Sequence, residues 1–497
     1  MSLRWSEWAS RYDTRKVLTA EITLARVSDG TELTLRLATE GGQWDGEHNW
    51  LGCLVGVPSL RQRAQQLTAG RSMISYGELI ALVEQGVRVV DGADVTWDEL
   101  VAEYAWAGRE VVVRVGGPEL AWDEWAVVVR GVVGHPAWDE QKLHIPIRSA
   151  AAKALENNIP PNTYDTGPDS TKGRAKPLCW GLCRSISPVL IQEGGPWVYQ
   201  VHDPAYGPIK AVDAVYVDGA AASGYSVDLA KATISFSSQP SGQVTADVRG
   251  RVAGGVWLST PGQILKDMLT TFGGVAETEL EAAAWEAFET AVPYTVGLYL
   301  TYATPISRAA DSLLAGLCSY WGPTREGLWG VWRFAPPSGE AALTLTDVEL
   351  LDMKVRPEQR LWWKVSVKAN RCWSPTSSPA SGVSASRRQW LAEQYRERSA
   401  SDEAIRNTWP AATEGGPHQT LLESLDDAAT VAGWWLELFG RQRLRVEATT
   451  KLQPLKVRLG DVVRISRERW GMEVWDGRVV ELVEDYTKNQ LKLMLWG

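Results

Sequence analysis

Arg445-Val-Glu-Ala-Thr-Thr450, Leu455-Lys-Val-Arg-Leu-Gly-Asp-Val-Val-Arg-Ile465, Glu473-Val-Trp-Asp-Gly-Arg-Val-Val-Glu-Leu-Val483 and Gln490-Leu-Lys-Leu-Met-Leu-Trp496 are four segments in which apolar and polar residues alternate. A period of two is that of a strand with one buried face. Leu459-Gly460-Asp461 and Trp475-Asp476-Gly477 carry turn chemistry between or within these strands, and Asp485 to Asn489 is the last polar turn. Four short strands in succession leave two exposed edges unless the sheet closes on itself or stacks on another. The expectation is a small C-terminal β-barrel with Gln490–Trp496 locked into it. Leu491, Leu493 and Leu495 then share the buried face, and Lys492 and Met494 point to solvent or to a neighbour.

Working outward, 358–497 reads as that barrel, with residues 361–370 as its first strand and helical segments at Gln389–Ala404 and Pro417–Phe439 interrupting it. The Ser- and Pro-rich loop Ser374–Ser386 is expected to be mobile or ordered only by a partner. Residues 256–357 read as α+β. Thr260-Pro261 is an N-cap followed by Pro at the first helical position, Glu277 to Ala291 is a second helix, and Thr304-Pro305 starts a third. Val296–Tyr302 and Leu328–Phe334 are strands of the same unit. Residues 151–255 are a turn-rich linker and a small all-β unit, with strands at Trp197–Val201, Ala211–Val217, Lys231–Phe236 and Gln243–Val248.

Residues 1–150 read as an N-terminal β-barrel. Val17–Val27 and Thr31–Leu37 flank Asp29-Gly30, a strong hairpin signal. Residues 41–75 are loop-rich, and Tyr76–Ile80, Val87–Val90, Glu110–Val115, Trp125–Val133 and Lys142–Arg148 are strands. Thr96 with Glu99 is a capping box. Trp5, Trp8 and Tyr12 form an amphipathic arm that caps the barrel or sits on a neighbour. The expected class is mainly β with α+β parts, built of several small barrels, with helices concentrated in 259–320 and 389–440.

Composition narrows the function. A length of 497 residues suggests roughly three to four domains. A hydrophobic fraction of 44% supplies buried cores, so the chain is not disordered. Trp, at 26 against 5 Phe, favours rims and interfaces, because each indole adds a large apolar area and one donor that wants a partner. Sixty acidic against 51 basic residues, a net charge of −9, lacks the basic footprint of a nucleic-acid binder. The same balance suits a wall that DNA slides past. The N-terminus has no secretory n-region and h-region, and no run of 18 apolar residues offers a membrane span.

Candidate sites are few. Cys53, Cys179, Cys183, Cys318 and Cys372 show no disulfide scaffold. Cys179 and Cys183 with His202 lack an apparent fourth zinc ligand and read as buried thiols. No nucleophile motif accompanies His48, His135, His144, His202 or His418. Glu40 with Asp45 is the glycosidase-like pair, and Trp44 in Gly41–Gly46 is a conceivable sugar platform, more often a surface loop. Tyr199, His202 and Asp203 are split by strand alternation, with Tyr199 and Asp203 on one face and His202 on the other. No catalytic residue, cofactor or metal is expected.

Several of these stretches together resemble the tail-tip hub proteins of long-tailed bacteriophages. Leu459-Gly-Asp-Val-Val-Arg-Ile465, Arg469-Trp-Gly-Met472, Gly477-Arg-Val-Val480 and Leu491–Gly497 look like that family's C-terminal end. Upstream, Lys176–Gly181, Pro188–Ile191, Tyr199–Asp203 and Val365–Trp373 look like its "KP-LG", "P-L", "YQVHD" and "V-Y-NW" segments. Lys368-Ala369 replaces the family's Tyr, and Arg371-Cys372 separates Asn370 from Trp373. The likeness spans most of the chain, and the order of the motifs carries it. It implies a structural protein of the virion tail tip or baseplate, forming a homotrimeric ring that caps the tail tube. Such a ring joins a distal tail protein to a central fibre or tip protein, contacts other hub proteins and the tape measure protein, and lets DNA pass without specific binding. The alternatives are a cell-wall hydrolase and an array of carbohydrate-binding modules.

Overall fold

The computed structural model describes residues 4–9, 11, 13–66, 69–84, 88–90, 93–149, 155–452 and 455–497. Tyr12 and Val87 lie outside the described residues. The protein is mainly β, with 44% of residues in strands and 18% in helices, as its alternation predicts.

The terminal strands form as expected. Leu444–Lys451, Val462–Arg467, Met472–Asp485 and Gln490–Trp496 belong to one sheet, and the last strand lies between Leu444–Lys451 and Met472–Asp485, antiparallel to both. Leu491, Leu493 and Leu495 are buried on one face with Val446, Val479 and Leu482. Lys492 is exposed, but Met494 is half-buried and Trp496 fully buried against the helical part of the molecule. Near its end the strand is therefore covered on both faces, where alternation alone gives one wet face.

The sheet curls without closing. Leu343–Leu345 pairs with Val462–Arg467, and Leu350–Pro357 pairs with Leu444–Lys451, leaving a half-barrel between these two edges among the described residues. Trp475-Asp476-Gly477 is no turn: it runs inside the long Met472–Asp485 strand, where a Cβ on Gly477 would press on the Trp475 ring. Gly460 does make a turn, at φ +91, and Val462 rather than Leu455 begins the strand.

Ser59–Gln66 and Ala69–Ser75, expected as loop, are strands. Ser59–Gln66 pairs with Met472–Asp485, and Ala69–Ser75 pairs with Ser59–Gln66 and touches Ser319–Pro323. Leu60 and Gln62 are both buried, so a polar residue sits in the inward series and hides its period. This hairpin carries the N-terminal part of the chain into the C-terminal sheet. The rest of the N-terminal sheet runs Glu32–Ala38, Val17–Arg26, Glu110–Gly116, Ala126–Val133, Lys142–Arg148, Glu78–Leu82, Leu54–Gly56. One hydrophobic core fills both it and the half-barrel. Gly30 turns the first hairpin at φ +75, Thr96 and Glu99 form the expected capping box, and Trp8 is buried with its indole N–H on Glu119 at 3.1 Å.

A second large core lies under the helices and takes in Trp496, Phe334 and Phe439, and a smaller third core lies under Leu178–Ile186, Ile209–Val217 and Val244–Ala253, backed by a four-stranded sheet of Val189–Gln192, Trp197–Gln200, Thr233–Phe236 and Tyr225–Asp228. Gly297–Leu300 pairs with Leu178–Ile186. Helix Pro261–Asp267 starts at the Thr260 capping box and continues as a π-turn to Phe272. The second helix is shorter than expected, Ala282–Ala291 after a 3-10 turn at Glu277–Glu279, and the third starts at Ile306.

Trp362–Ala369 is not a barrel strand. It is the middle of a separate three-stranded sheet between Arg396–Ser401 and Thr413–Gln419, because Val365, Val367 and Ala369 bury their face under helix Leu425–Phe439. Residues expected as helix, Arg396–Ser401 and Pro417–Gln419, are thus strands, and the helices there are Ala385–Ala392 and Glu403–Thr408. The Ser/Pro loop is fastened within the chain: Arg388 donates to the carbonyls of Val383 and Ser381, and the Ala380 amide donates to the Asp218 carbonyl.

Candidate functional site

A buried, densely hydrogen-bonded node lies where the half-barrel meets the rest of the chain. Glu484 occupies an inward position two residues after Leu482 and is fully buried. Arg325, on the loop between Ser319–Pro323 and Trp329–Arg333, is buried beside it, with Nη1 donating to Glu484 Oε1 at 3.0 Å. The Leu455 amide donates to the same oxygen at 3.1 Å, the Tyr486 hydroxyl donates to Oε2 at 3.1 Å, and Arg325 Nη2 donates to the Val457 carbonyl. Burial works against the Arg325 charge, but Glu484 holds its pKa above the ordinary value. The Tyr486 hydroxyl is pushed well up, first by burial and then by Glu484. The Arg130 amide also donates to the Arg325 carbonyl, at 3.4 Å, so the N-terminal sheet touches this node as well.

A second buried pair holds the middle of the chain. Arg251 is bidentate on Asp267, at 2.8 and 3.0 Å, and Asp267 also accepts from the Trp180 indole and the Thr271 hydroxyl, both at 2.8 Å. Both nodes tie strands to helices or loops from other parts of the sequence. Next to the first lie a 590 Å³ cleft, walled by Glu110, Arg130, Glu326 and Trp329, and a 220 Å³ cleft, walled by Arg325, Arg458, Arg478 and Asp461. Their charges are already engaged: Arg130 with Glu110, and Arg458 with Glu281 and Glu326.

The residues singled out from sequence have other tasks. Cys179 and Cys183 are buried in the core, and His202 comes close, but its Nδ1 accepts the Cys179 amide at 3.0 Å. Among the described residues no group of three or more His, Cys, Asp or Glu is placed to hold a metal ion. The strand expected to carry Tyr199 through Asp203 ends at Gln200. Tyr199 packs edge-on against Phe236, and Asp203 caps Pro204–Tyr206 and accepts from Asn162 at 2.8 Å. Glu40 is paired with Arg15. Burial raises the Asp45 carboxyl, but the His48 amide and ring and the Glu47 amide bring it down to about 2. Trp44 is no open platform: its ring packs on Trp125 and its N–H donates to the Glu40 carbonyl at 2.9 Å. His48 pairs with Asp45 and His144 with Glu78, and neither imidazole bonds a hydroxyl or thiol among the hydrogen bonds of the described residues. His135 is exposed. Cys318 and Cys372 are buried and Cys53 half-buried.

His418 lies flat on Trp435, ring centroids 3.7 Å apart, with Trp362 beside it. Burial and then Arg360 push its pKa from 6.5 down to about 4. Burial and Arg251 push His202 down to about 3. Both histidines are neutral in the native state while the unfolded chain takes up their protons near 6.5, so their contribution is complete above that pH. It is lost as pH falls toward 4 and then 3. Thermal melts should show the midpoint dropping between pH 6.5 and 4, with a shallower drop in His418→Phe, which keeps the stack. An identical pH profile in the variant would contradict this.

No protein-family model matches the chain, and no curated protein matches its sequence. Among solved structures the chain is similar to a component of the virion of a native gene transfer agent particle, at 13% identity and TM-score 0.44, over 70% of this chain and 90% of that one. It is similar to a tail protein from Neisseria meningitidis MC58, at 7% identity and TM-score 0.42, over 96% of both chains. A third is the 43 kDa tail protein of prophage MuSo2 from Shewanella oneidensis, at 11% identity and TM-score 0.40, over 96% of this chain and 98% of that one.

Among the described residues no helix is long and apolar enough to cross a membrane.

Proposed function

We propose that the protein is a structural component of a bacteriophage tail, the hub of its tip or baseplate, acting without chemistry or cofactor. One observation carries the reading. The motif that resembles the end of tail-tip hub proteins, Leu491–Trp496, is the strand clamped between the two largest cores, so the resemblance falls on the framework of the fold. In this reading the chain comprises an N-terminal β unit over 1–150, a linker and small all-β unit over 151–255, an α+β unit over 256–357 and a C-terminal unit over 358–497 that joins most of the half-barrel to the helix-covered three-stranded sheet. The hairpin at 59–75 reaches from the first unit to the last. Three copies, the number the resemblance implies, form a ring around an axial channel, and head-to-tail contacts that close make such rings. The ring caps the tail tube below the distal tail protein and tape measure protein. It carries the central fibre or tip protein with other hub proteins, and the net charge of −9 lets DNA pass without binding.

Mass photometry of the purified protein should show a discrete species of three chains. A protein that stays monomeric at every concentration would contradict the ring.

A further inference from the structure

Residues 374–392, the Ser- and Pro-rich loop with the helix Ala385–Ala392 that follows it, lie as a strap over the turn at Gly219. Pro379, Val383 and Leu391 sit so close to Gly219 that a Cβ there would meet all three. The core under the strap contains three buried apolar residues, Cys372, Val383 and Leu391, with Ala220, Ala380 and Trp390 packed around them, far fewer than any other core of the molecule. A satellite cluster of this size beneath a long loop sets little apolar burial against the entropy of ordering the loop.

The polar ties are also few. Among the described residues one backbone hydrogen bond runs from within the strap to another part of the chain, from the Ala380 amide to the Asp218 carbonyl at 2.8 Å. Two side-chain bonds join it, Ser374 Oγ with Ser187 Oγ and the Trp390 indole N–H to Asn370 Oδ1, both at 2.8 Å. Arg387 lies between the rings of Tyr216 and Trp390, at 4.1 and 4.5 Å, and Arg396 lies 4.2 Å from the same Trp390 ring. Two guanidiniums on one ring repel each other, and exposed Glu393 offsets part of that repulsion at Arg396. Arg387 Nε and Nη2 and Arg396 Nη2 are buried without a hydrogen-bond acceptor among the described residues. Stacking on the rings recovers part of that cost, and opening returns the donors to water.

We propose that residues 374–392 open as a unit while the rest of the fold stays intact, uncovering the Gly219 turn, the Tyr216 ring and the Cys372 thiol. Segments with few buried contacts open at low free energy, and the elements that move in a protein come from that end of the range. The opening belongs to a single copy and does not depend on the ring.

Cys372 reports it, because this thiol is fully buried beneath the strap, whereas Cys179, Cys183 and Cys318 are fully buried in larger cores. The full-length protein is treated with iodoacetamide under native conditions, and each cysteine is followed by peptide mass spectrometry. Rates are divided by those of the urea-unfolded chain, so that intrinsic thiol reactivity cancels. Cys372 should react at least about tenfold faster than Cys179, Cys183 and Cys318. Leu391→Ala removes apolar cover from the Gly219 turn and should speed Cys372 by roughly tenfold more while leaving the other three rates unchanged. Val383→Ala is the milder second variant, with the same expected pattern. A wild-type Cys372 no faster than the other three buried thiols overturns the proposal, because the thiol is then reached only by global unfolding. So does an acceleration shared by all four cysteines, or a Cys372 rate that neither variant changes.

Discussion

Leu493→Asp is expected to unfold the half-barrel and abolish assembly. Leu493 is 3% exposed and sits opposite Ala448 on one neighbouring strand and Leu482 on the other, in the core that also fills the N-terminal sheet. A carboxylate there loses its water and meets only apolar side chains, which costs several kcal/mol or forces it to hold a proton. The total stability of a domain is only about 5–15 kcal/mol, so one such group consumes much of it. The damage spreads because the strand is covered on both faces. When it leaves, Trp496 loses its contacts with Phe334 and Phe439 in the other core. Lys492→Asp, one position away and exposed, should change stability by no more than about 0.5 kcal/mol. Urea unfolding of the two variants, with assembly measured beside it, separates them. If both assemble like the wild type, residues 490–497 are dispensable and the half-barrel does not organise the fold.

Glu484→Ala should be nearly as severe. It leaves the Arg325 guanidinium, 2% exposed, without its carboxylate. Removing one member of a buried pair costs about 3–5 kcal/mol, whereas replacing both with apolar residues of similar size is often neutral or stabilising. The double variant Glu484→Met with Arg325→Met should therefore recover most of the loss. The Arg61–Glu481 pair, three residues away along the same strand, is the internal contrast. The Arg61 side chain is 50% exposed, and Arg61→Ala should cost at most about 1 kcal/mol. A double variant as unstable as Glu484→Ala would mean that Glu484 acts through something other than Arg325.

What was legible in the sequence is what is decided locally. The Asp29-Gly30 hairpin, the caps at Thr96 and Thr260 and the alternation through Leu491, Leu493 and Leu495 depend on neighbours a few residues apart, and each formed as read. What was not legible depends on distant partners. Ser59–Gln66 becomes a strand because Met472–Asp485 offers it an edge, and Gln62 on its inward face removes the apolar signal. Arg396–Ser401 is charged enough to pass for an exposed helix, yet it is the edge strand beside Trp362–Ala369, where one face stays wet. Trp362–Ala369 alternates like a barrel strand, and only the helix Leu425–Phe439 lying on it reveals that it belongs elsewhere. The Arg325–Glu484 node joins residues 159 apart. Glu484 was not singled out from the sequence; an acid two residues after Leu482, on the inward face, was the one local signal that could have found it, and nothing local identifies Arg325 as its partner. Trp470 carried no signal beyond an Arg-Trp-Gly turn, because a left-handed φ at a tryptophan is set by the hairpin around it.

Cryo-electron microscopy of an intact tail bearing this protein tests the central claim most directly. The predicted result is a ring of three copies at the tip of the tube, open along its axis, with Gln490–Trp496 inside each copy between Leu444–Lys451 and Met472–Asp485. A map that places the chain in a peripheral fibre, or as single copies that enclose no channel, would contradict it.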